Sequence, residues 1–320
     1  MSPPKVSEGV KKCQKCQKGM AGALPGAWGG VARARAQQGG RAPRFWCGSG
    51  GLPAGGAPEG ELWLDPAEAG HAKTLRLRPG GEVELCDGRG GVQAALVLET
   101  GRGRALVRGR GPVERTPWTG PRFRVAAALG SLQGGRAEFL VEKAAELGAE
   151  VVLPLLTSRS DDVRAGRVER LRRVALSASK QSLRLHHLKV AEPATVAEVT
   201  GMIWGESQSG VERATSPSPL ALLAAQGAPP LGTYMEVLRP LSRDVPGRSV
   251  PVYLLVGPEG DFTDDEVAHF AEAGALPVGL GLLRLRVETA ALALLGGCQA
   301  HCDWVGGGVG DGDGGTAGKR

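Results

Sequence analysis

The chain has 320 residues, 42% of them hydrophobic, and a formal net charge of +6, so it can bury a core in one or two domains. No apolar run reaches eighteen residues, the longest being Thr289 to Ala300, which excludes a membrane-spanning helix and predicts a soluble protein. Six cysteines in a chain this long, without a signal peptide, suggest reduced thiols rather than a disulfide framework, while a pI near 9.1 suits a phosphate-rich partner without requiring one.

Residues 1 to 43 carry Lys5, Lys11, Lys12, Lys15, Lys18, Arg33, Arg35 and Arg41 against one acid, Glu8. This basic, acid-poor leader resembles an organelle transit peptide, for a chloroplast or mitochondrion, although serine is scarce. A disordered tail has the same composition, and the protein is then cytoplasmic. Cys13 and Cys16 could form half a zinc site, with Cys298, His301 and Cys302 as the other half; a lone CxxC in such a leader is a weak signal.

From Arg44 to Val113, short β-like pieces alternate with turns. They are Leu62 to Leu64, a short helix from Pro66 containing His71, Glu82 to Cys86, the turn Asp87 to Gly91, Val92 to Glu99, and Arg104 to Arg108. Closely spaced strands with glycine turns predict a small barrel. Residues 114 to 124, with Pro117 and Pro121, read as a linker.

The larger domain, 125 to 304, opens with a strand from Arg124 to Leu129 and a helix from Ala137 to Leu147. A strand from Val151 to Leu155 follows, then a long helix from Arg167 to Ser182 with Val168, Leu171, Val174, Ala175 and Ala178 on one side. His186 and His187 read as surface residues rather than a metal pair, since adjacent histidines seldom point the same way. Residues 205 to 219 form a polar loop or insertion, Leu220 to Ala225 a further strand, and 305 to 320 a glycine-rich tail with nothing apolar to bury.

Residues 252 to 289 make the same move twice. Val252 to Val256 is a buried-strand run that stops at Gly257-Pro258-Glu259-Gly260. Thr263 with Glu266 three residues on is a capping box, so a helix starts at Thr263 and Gly274 ends it. Leu276 to Leu280 is a second strand, broken at Gly281, and Glu288-Thr289 opens a second helix. In a parallel sheet such loops lie outside the carboxyl ends of the strands, where ligands bind.

LLVGPEGDFTDDEV followed by VGLGLLRLRVETAAL closely resembles the carboxyl-terminal signature of the ribosomal small subunit methyltransferase E family of SPOUT methyltransferases. The resemblance implies an α/β fold with a parallel sheet and a deep trefoil knot, a PUA-like RNA-binding barrel before it, and a homodimer. It also implies S-adenosylmethionine as cofactor and methylation of N3 of a uridine in small-subunit ribosomal RNA. Its cofactor would lie against Gly257, Pro258, Glu259, Gly260, Leu280, Gly281, Leu283, Leu285, Arg286 and Thr289, with Leu231 in a third wall. HAKTLRLRPGGEVELCDGRGG is similar to the family's barrel and implies phosphate contacts at Arg44, Lys73, Arg76 and Arg78. FLVEKAAELGAEVVLPLLTSRS, similar to its first strands, implies RNA or active-site contacts at Arg136, Lys143 and Arg159, and Arg184 follows in the next loop. Lys143 could instead pair with Glu142 or Glu146. Three positions depart from the family pattern: Lys180 replaces an acid, Leu183 a glycine, and Leu283 the first arginine of the last motif, with Arg284 as a candidate substitute.

Uridine N3 attacks only after losing its proton, so a fixed cation near the uracil oxygens would stabilise the anion. Arg286 is the first choice, unless it is held in a loop-fixing ion pair with Glu259 or Glu288. The proton could leave to solvent or through Glu288. An RNA-binding homologue without catalysis and an enzyme acting on another nucleotide remain the alternatives.

Overall fold

The computed structural model describes residues 42–48, 52, 60–101, 103–130, 132–160, 163–208, 219–234, 238 and 249–306. The leader with Cys13 and Cys16, and the tail 307–320, lie outside the described residues.

The first domain is one mixed sheet of β1 (Arg44–Trp46), β2 (Glu61–Trp63), β3 (Glu82–Cys86), β4 (Gly91–Gly101) and β5 (Arg104–Arg115), with helix α1 (Pro66–Thr74). The order is β1-β3-β4-β5-β2, parallel only between β1 and β3. Alternate apolar residues, among them Phe45, Val83, Leu85, Ala95, Val97 and Val107, meet Ala69 and Ala72 of α1 in a single core. The β3–β4 turn is built by Asp87, whose Oδ1 accepts from the N–H groups of Arg89 and Gly91, both at 2.8 Å. Burial works to raise the Asp87 pKa, but those bonds and Arg115 outweigh it and hold the carboxyl below its ordinary value. β5 runs seven residues past its predicted end because Gly91 and Val92 pair with Arg115 and Glu114. The expected linker is therefore partly strand.

The second domain has seven parallel strands. In chain order its elements are β6 (Arg122–Ala127), α2 (Arg136–Glu146), β7 (Val151–Leu156), α3 (Ala165–Gln181), β8 (Lys189–Val190), β9 (Ala194–Thr195), α4 (Val196–Gln208), β10 (Leu220–Ala224), β11 (Pro251–Val256), α5 (Asp264–Glu272), β12 (Leu276–Val278) and α6 (Val287–Gly306). The sheet order is β12-β10-β11-β6-β7-β8, with β9 beside β7. Both faces are covered, as continuous apolar strands require. Val252, Leu254 and Val256 of β11 pack into the core that holds α2, α3 and α6, and Tyr253 and Leu255 into the one that holds α4 and α5. The chain fills one side of β6 and then returns to build the other, so the sheet has a switch point between β6 and β11, where crevices open at the carboxyl ends. Among the described residues no helix is long and apolar enough to cross a membrane.

The two domains meet along a seam that the sequence did not reveal. His187 is stacked on Trp46 at 4.4 Å between ring centroids and its N–H donates to the Gly88 carbonyl at 3.0 Å. His186 Nε2 lies 3.0 Å from the Thr116 carbonyl. Neither is a free surface residue: burial pushes the His187 pKa down to about 4, with Lys180, Arg184 and Arg44 adding to it, and lowers that of His186. Lys180 of α3 pairs with the buried Glu68 of α1. Arg44 donates to Glu84 at 2.8 Å and to the Leu183 carbonyl at 2.9 Å, and its side chain is 8% exposed, so it is no phosphate contact. Arg184 is likewise withdrawn: it donates to the carbonyls of Ala145 and Ala149, both at 2.8 Å, closing the carboxyl end of α2. Leu183 takes the left-handed conformation at φ 57°, which explains a glycine there in the family pattern.

Candidate active site

The loop after β11 is braced from all sides. Thr263 caps α5 as expected, its hydroxyl accepting from the Glu266 N–H while the Glu266 carboxylate accepts from Thr263 N–H. That carboxylate also accepts the Ser158 N–H at 2.7 Å and hydroxyl at 3.1 Å, tying in the β7 loop. Burial would raise the Glu266 pKa; these bonds outweigh it and lower it. Arg159 Nη1 donates to the Gly260 carbonyl at 2.7 Å, so its role in the structure is to hold this loop rather than to wait for RNA. A side chain at Gly257 would press on Phe262 at 3.0 Å, so the glycine there answers to packing.

The segment after β12 is built differently. Gly279 threads past the β10 loop: its N–H donates to the Pro229 carbonyl at 2.8 Å, and a Cβ there would lie 2.3 Å from the Ala228 carbonyl oxygen. This close approach ends β12 at Val278, two residues before the predicted end. Gly281 has φ +116° and open space around it. Leu282 and Leu283 follow, 98% and 81% exposed. Arg284 donates to the Glu259 carbonyl, so it reaches the first loop across the gap.

Between these segments lies a cleft. Its walls are Ala224 to Gln226 after β10, Val256 to Glu259 and Asp261 after β11, and Val278, Leu280, Gly281, Leu283 to Leu285, Val287 and Ala290 after β12. Of the expected cofactor residues, Gly257, Pro258, Glu259, Leu280, Gly281, Leu283 and Leu285 line it. Gly260, Arg286 and Thr289 do not, although Arg286 stands between two lining residues. Leu231 is displaced: it packs into the core beside Gly297 and its N–H donates to the Gly279 carbonyl. Gln226 and Asp261 were missed. The position of Gln226 just past the end of β10 is the available signal for it.

Charges converge next to the cleft. Arg136, the first residue of α2, donates to Glu259 Oε1 at 3.1 Å and lies 3.7 Å from Glu288 Oε2. The loop-fixing ion pair considered for Arg286 is therefore made by Arg136. Arg286 is exposed, and among the described residues its guanidinium has no partner; its backbone carbonyl begins α6 by accepting from Ala290. Lys143 pairs with both Glu142 and Glu146 at 2.8 Å. Lys73, Arg76 and Arg78 stay exposed on the first domain.

Residues 119–299, more than half of the chain, match the family model of an RNA methyltransferase domain. A Mycobacterium tuberculosis protein named ribosomal RNA small subunit methyltransferase E is 32% identical over 243 residues, covering 73% of this chain and 84% of that relative. The chain belongs to the ribosomal RNA small subunit methyltransferase E family. Two solved structures are similar over about four fifths of this chain. A Neisseria gonorrhoeae ribosomal RNA small subunit methyltransferase E bound to S-adenosyl methionine is 25% identical with a TM-score of 0.63, over 81% of this chain and 98% of that one. A probable rRNA-methyltransferase from Porphyromonas gingivalis is 28% identical with a TM-score of 0.57, over 82% and 96%. As a methyltransferase E family member, the chain carries the expected α/β fold with its parallel sheet.

Proposed function

We propose that this chain transfers a methyl group from S-adenosylmethionine to N3 of a uridine in small-subunit ribosomal RNA. The observation that carries the reading is the cleft, formed by three loops at the carboxyl ends of β10, β11 and β12 in a member of this family. Its residues fit the cofactor: Val256, Val278, Val287 and Ala290 offer an apolar wall, glycines bare the backbone, and Glu259 and Asp261 place negative charge near a sulfonium. When bound, S-adenosylmethionine supplies an electrophilic methyl carbon. Gly257 to Glu259, Leu280, Gly281 and Leu283 to Leu285 would hold it, the exposed cations Lys73, Arg76, Arg78 and Arg286 would face the RNA, and Arg286 would stabilise the uracil anion from the cleft edge. Arg284, bonded to the first loop, takes the part of the arginine replaced by Leu283.

Calorimetric titration with S-adenosylmethionine, followed by nucleoside analysis of small-subunit RNA after incubation, tests the reading. Binding and 3-methyluridine are expected. No binding favours an RNA-binding homologue without catalysis, and another methylated nucleoside favours a different base. The reading extends to a homodimer and a knotted carboxyl-terminal segment, which the family resemblance supports, and to organelle import by residues 1 to 43, which their composition supports. Light scattering checks the dimer; a tagged leader that stays in the cytosol counts against import.

A further inference from the structure

Buried polar atoms in folded proteins nearly always have a hydrogen-bond partner, so each exception asks for a reason. Glu288 is one: it is 7% exposed, and its Oε2 accepts no hydrogen bond among the described residues. The other such atoms, on Thr157, His187, Thr200 and His301, belong to residues away from the cleft lining, whereas Glu288 follows the lining residue Val287 in the first turn of α6. A cation stands beside it. Arg136 Nη1 is 3.7 Å from Oε2, too long for a hydrogen bond, while the same nitrogen is hydrogen-bonded to Glu259 Oε1 at 3.1 Å. Three elements thus meet at one guanidinium, which is hydrogen-bonded to Glu259 and leaves Glu288 Oε2 in an ion pair without a hydrogen bond.

We propose that Glu288 Oε2 is the acceptor of the uridine N3 proton, and that Arg136 is the residue that positions it. This rests on the function proposed above. The N3–H bond breaks and its proton forms an O–H bond on Glu288; the freed N3 electron pair forms the bond to the methyl carbon as the methyl–sulfur bond breaks, and a neutral thioether leaves. The carboxylic acid then releases its proton to solvent. Arg136 supplies the cation that compensates a buried carboxylate, and its tie to Glu259 keeps it from occupying the oxygen the proton needs.

The test uses the full chain with S-adenosylmethionine and small-subunit RNA. Glu288→Ala and the isosteric Glu288→Gln are expected to lower kcat by about a hundredfold to ten-thousandfold. Cofactor affinity by calorimetry and melting temperature stay near those of the unaltered chain. Added formate restores part of the rate to Glu288→Ala and leaves the unaltered chain unchanged, which a structural carboxylate would not allow. Arg136→Ala lowers kcat with KM for RNA unchanged; an arginine that merely held phosphate would raise KM. An unchanged kcat in both Glu288 variants, loss of cofactor affinity in step with rate, or no response to formate overturns the proposal while leaving the function standing. An unaltered chain that transfers no methyl group overturns the function, and this proposal with it.

Discussion

The seam between the domains and the cleft at the strand ends use the same residue types to opposite ends. In the seam, three basic side chains are tied to acceptors: Arg44 meets Glu84 and the Leu183 carbonyl, Lys180 meets Glu68, and Arg184 meets two carbonyls of the α2 end. Beside the cleft, Arg286 has none among the described residues, and Leu282 and Leu283 are left in water. A cation with nearby acceptors is part of the architecture. One without them is available to a ligand. The difference lies in long-range neighbours and not in the residues, which is why Arg44 and Arg184 read as RNA contacts until the fold was seen.

The comparison is broken most forcefully at Lys180. Removing its ammonium leaves Glu68, nearly fully buried, without this ion-pair partner; among the described residues it keeps the Trp46 N–H at 3.2 Å. Loss of one member of a buried pair costs about 3 to 5 kcal/mol. Lys180→Ala is therefore expected to lower the midpoint of denaturant unfolding strongly. Where the chain is still folded, cofactor affinity should be unaltered, and a loss of affinity at constant stability would join the seam to the site.

Arg286→Ala is the converse. With no partner to abandon, the variant should melt as the unaltered chain does and bind S-adenosylmethionine equally well, while turnover falls by about a hundredfold to a thousandfold, as when one pre-organised donor is lost. Normal turnover would remove Arg286 from the reaction. A drop in melting temperature would show that it has a structural partner after all.

Acid separates the two regions next. His187 sits in the seam with its pKa depressed to about 4 by burial and by Lys180, Arg184 and Arg44, against an ordinary value of 6.5, with Asp87 opposing. The folded value lies below the unfolded one, so the unfolded chain binds the proton first as pH falls. Stability is complete above pH 6.5 and declines toward pH 4, by at most about 3 kcal/mol at 1.36 kcal/mol per unit. His187→Phe should flatten this part of the stability profile; an unchanged slope would place the acid sensitivity elsewhere.

Local chemistry was legible in the sequence and remote pairing was not. The Thr263 and Glu266 capping box, the β3 span and the switch from strand to glycine loop after Val256 all depend on residues within a few positions of one another, and the structure has them where expected. β5 overran and β12 stopped short because partners far away in the chain decide each: Gly91 and Val92 extend the first, and the β10 loop closes on Gly279 in the second. The cleft's glycines were visible from the same local logic. Asp261 and Gln226 sit in the same strand-end loops but were not singled out, because only the assembled sheet shows which side chains of those loops line one cleft.

The smallest expected effect concerns glycines, which the two regions also use differently. In the seam, a Cβ at Gly90 would lie 2.1 Å from the Thr116 carbonyl oxygen, and one at Gly88 would lie 2.5 Å from Trp46, so the neighbouring backbone or ring must move. At Gly281 there is nothing within 4 Å, and only the backbone angle, φ +116°, resists a side chain. Such strain costs of order 1 to 3 kcal/mol, and a loop bordered by the exposed Leu282 can relax it by changing course. Gly281→Val should then leave global stability within about 1 kcal/mol while displacing Leu280 to Leu285 from the cleft wall, which weakens S-adenosylmethionine about tenfold to a hundredfold. Gly90→Val should do the reverse, lowering melting temperature first. Equal cofactor affinity in Gly281→Val and the unaltered chain would mean that this segment does not touch the cofactor, and the cleft would have to be assigned to the β10 and β11 loops alone.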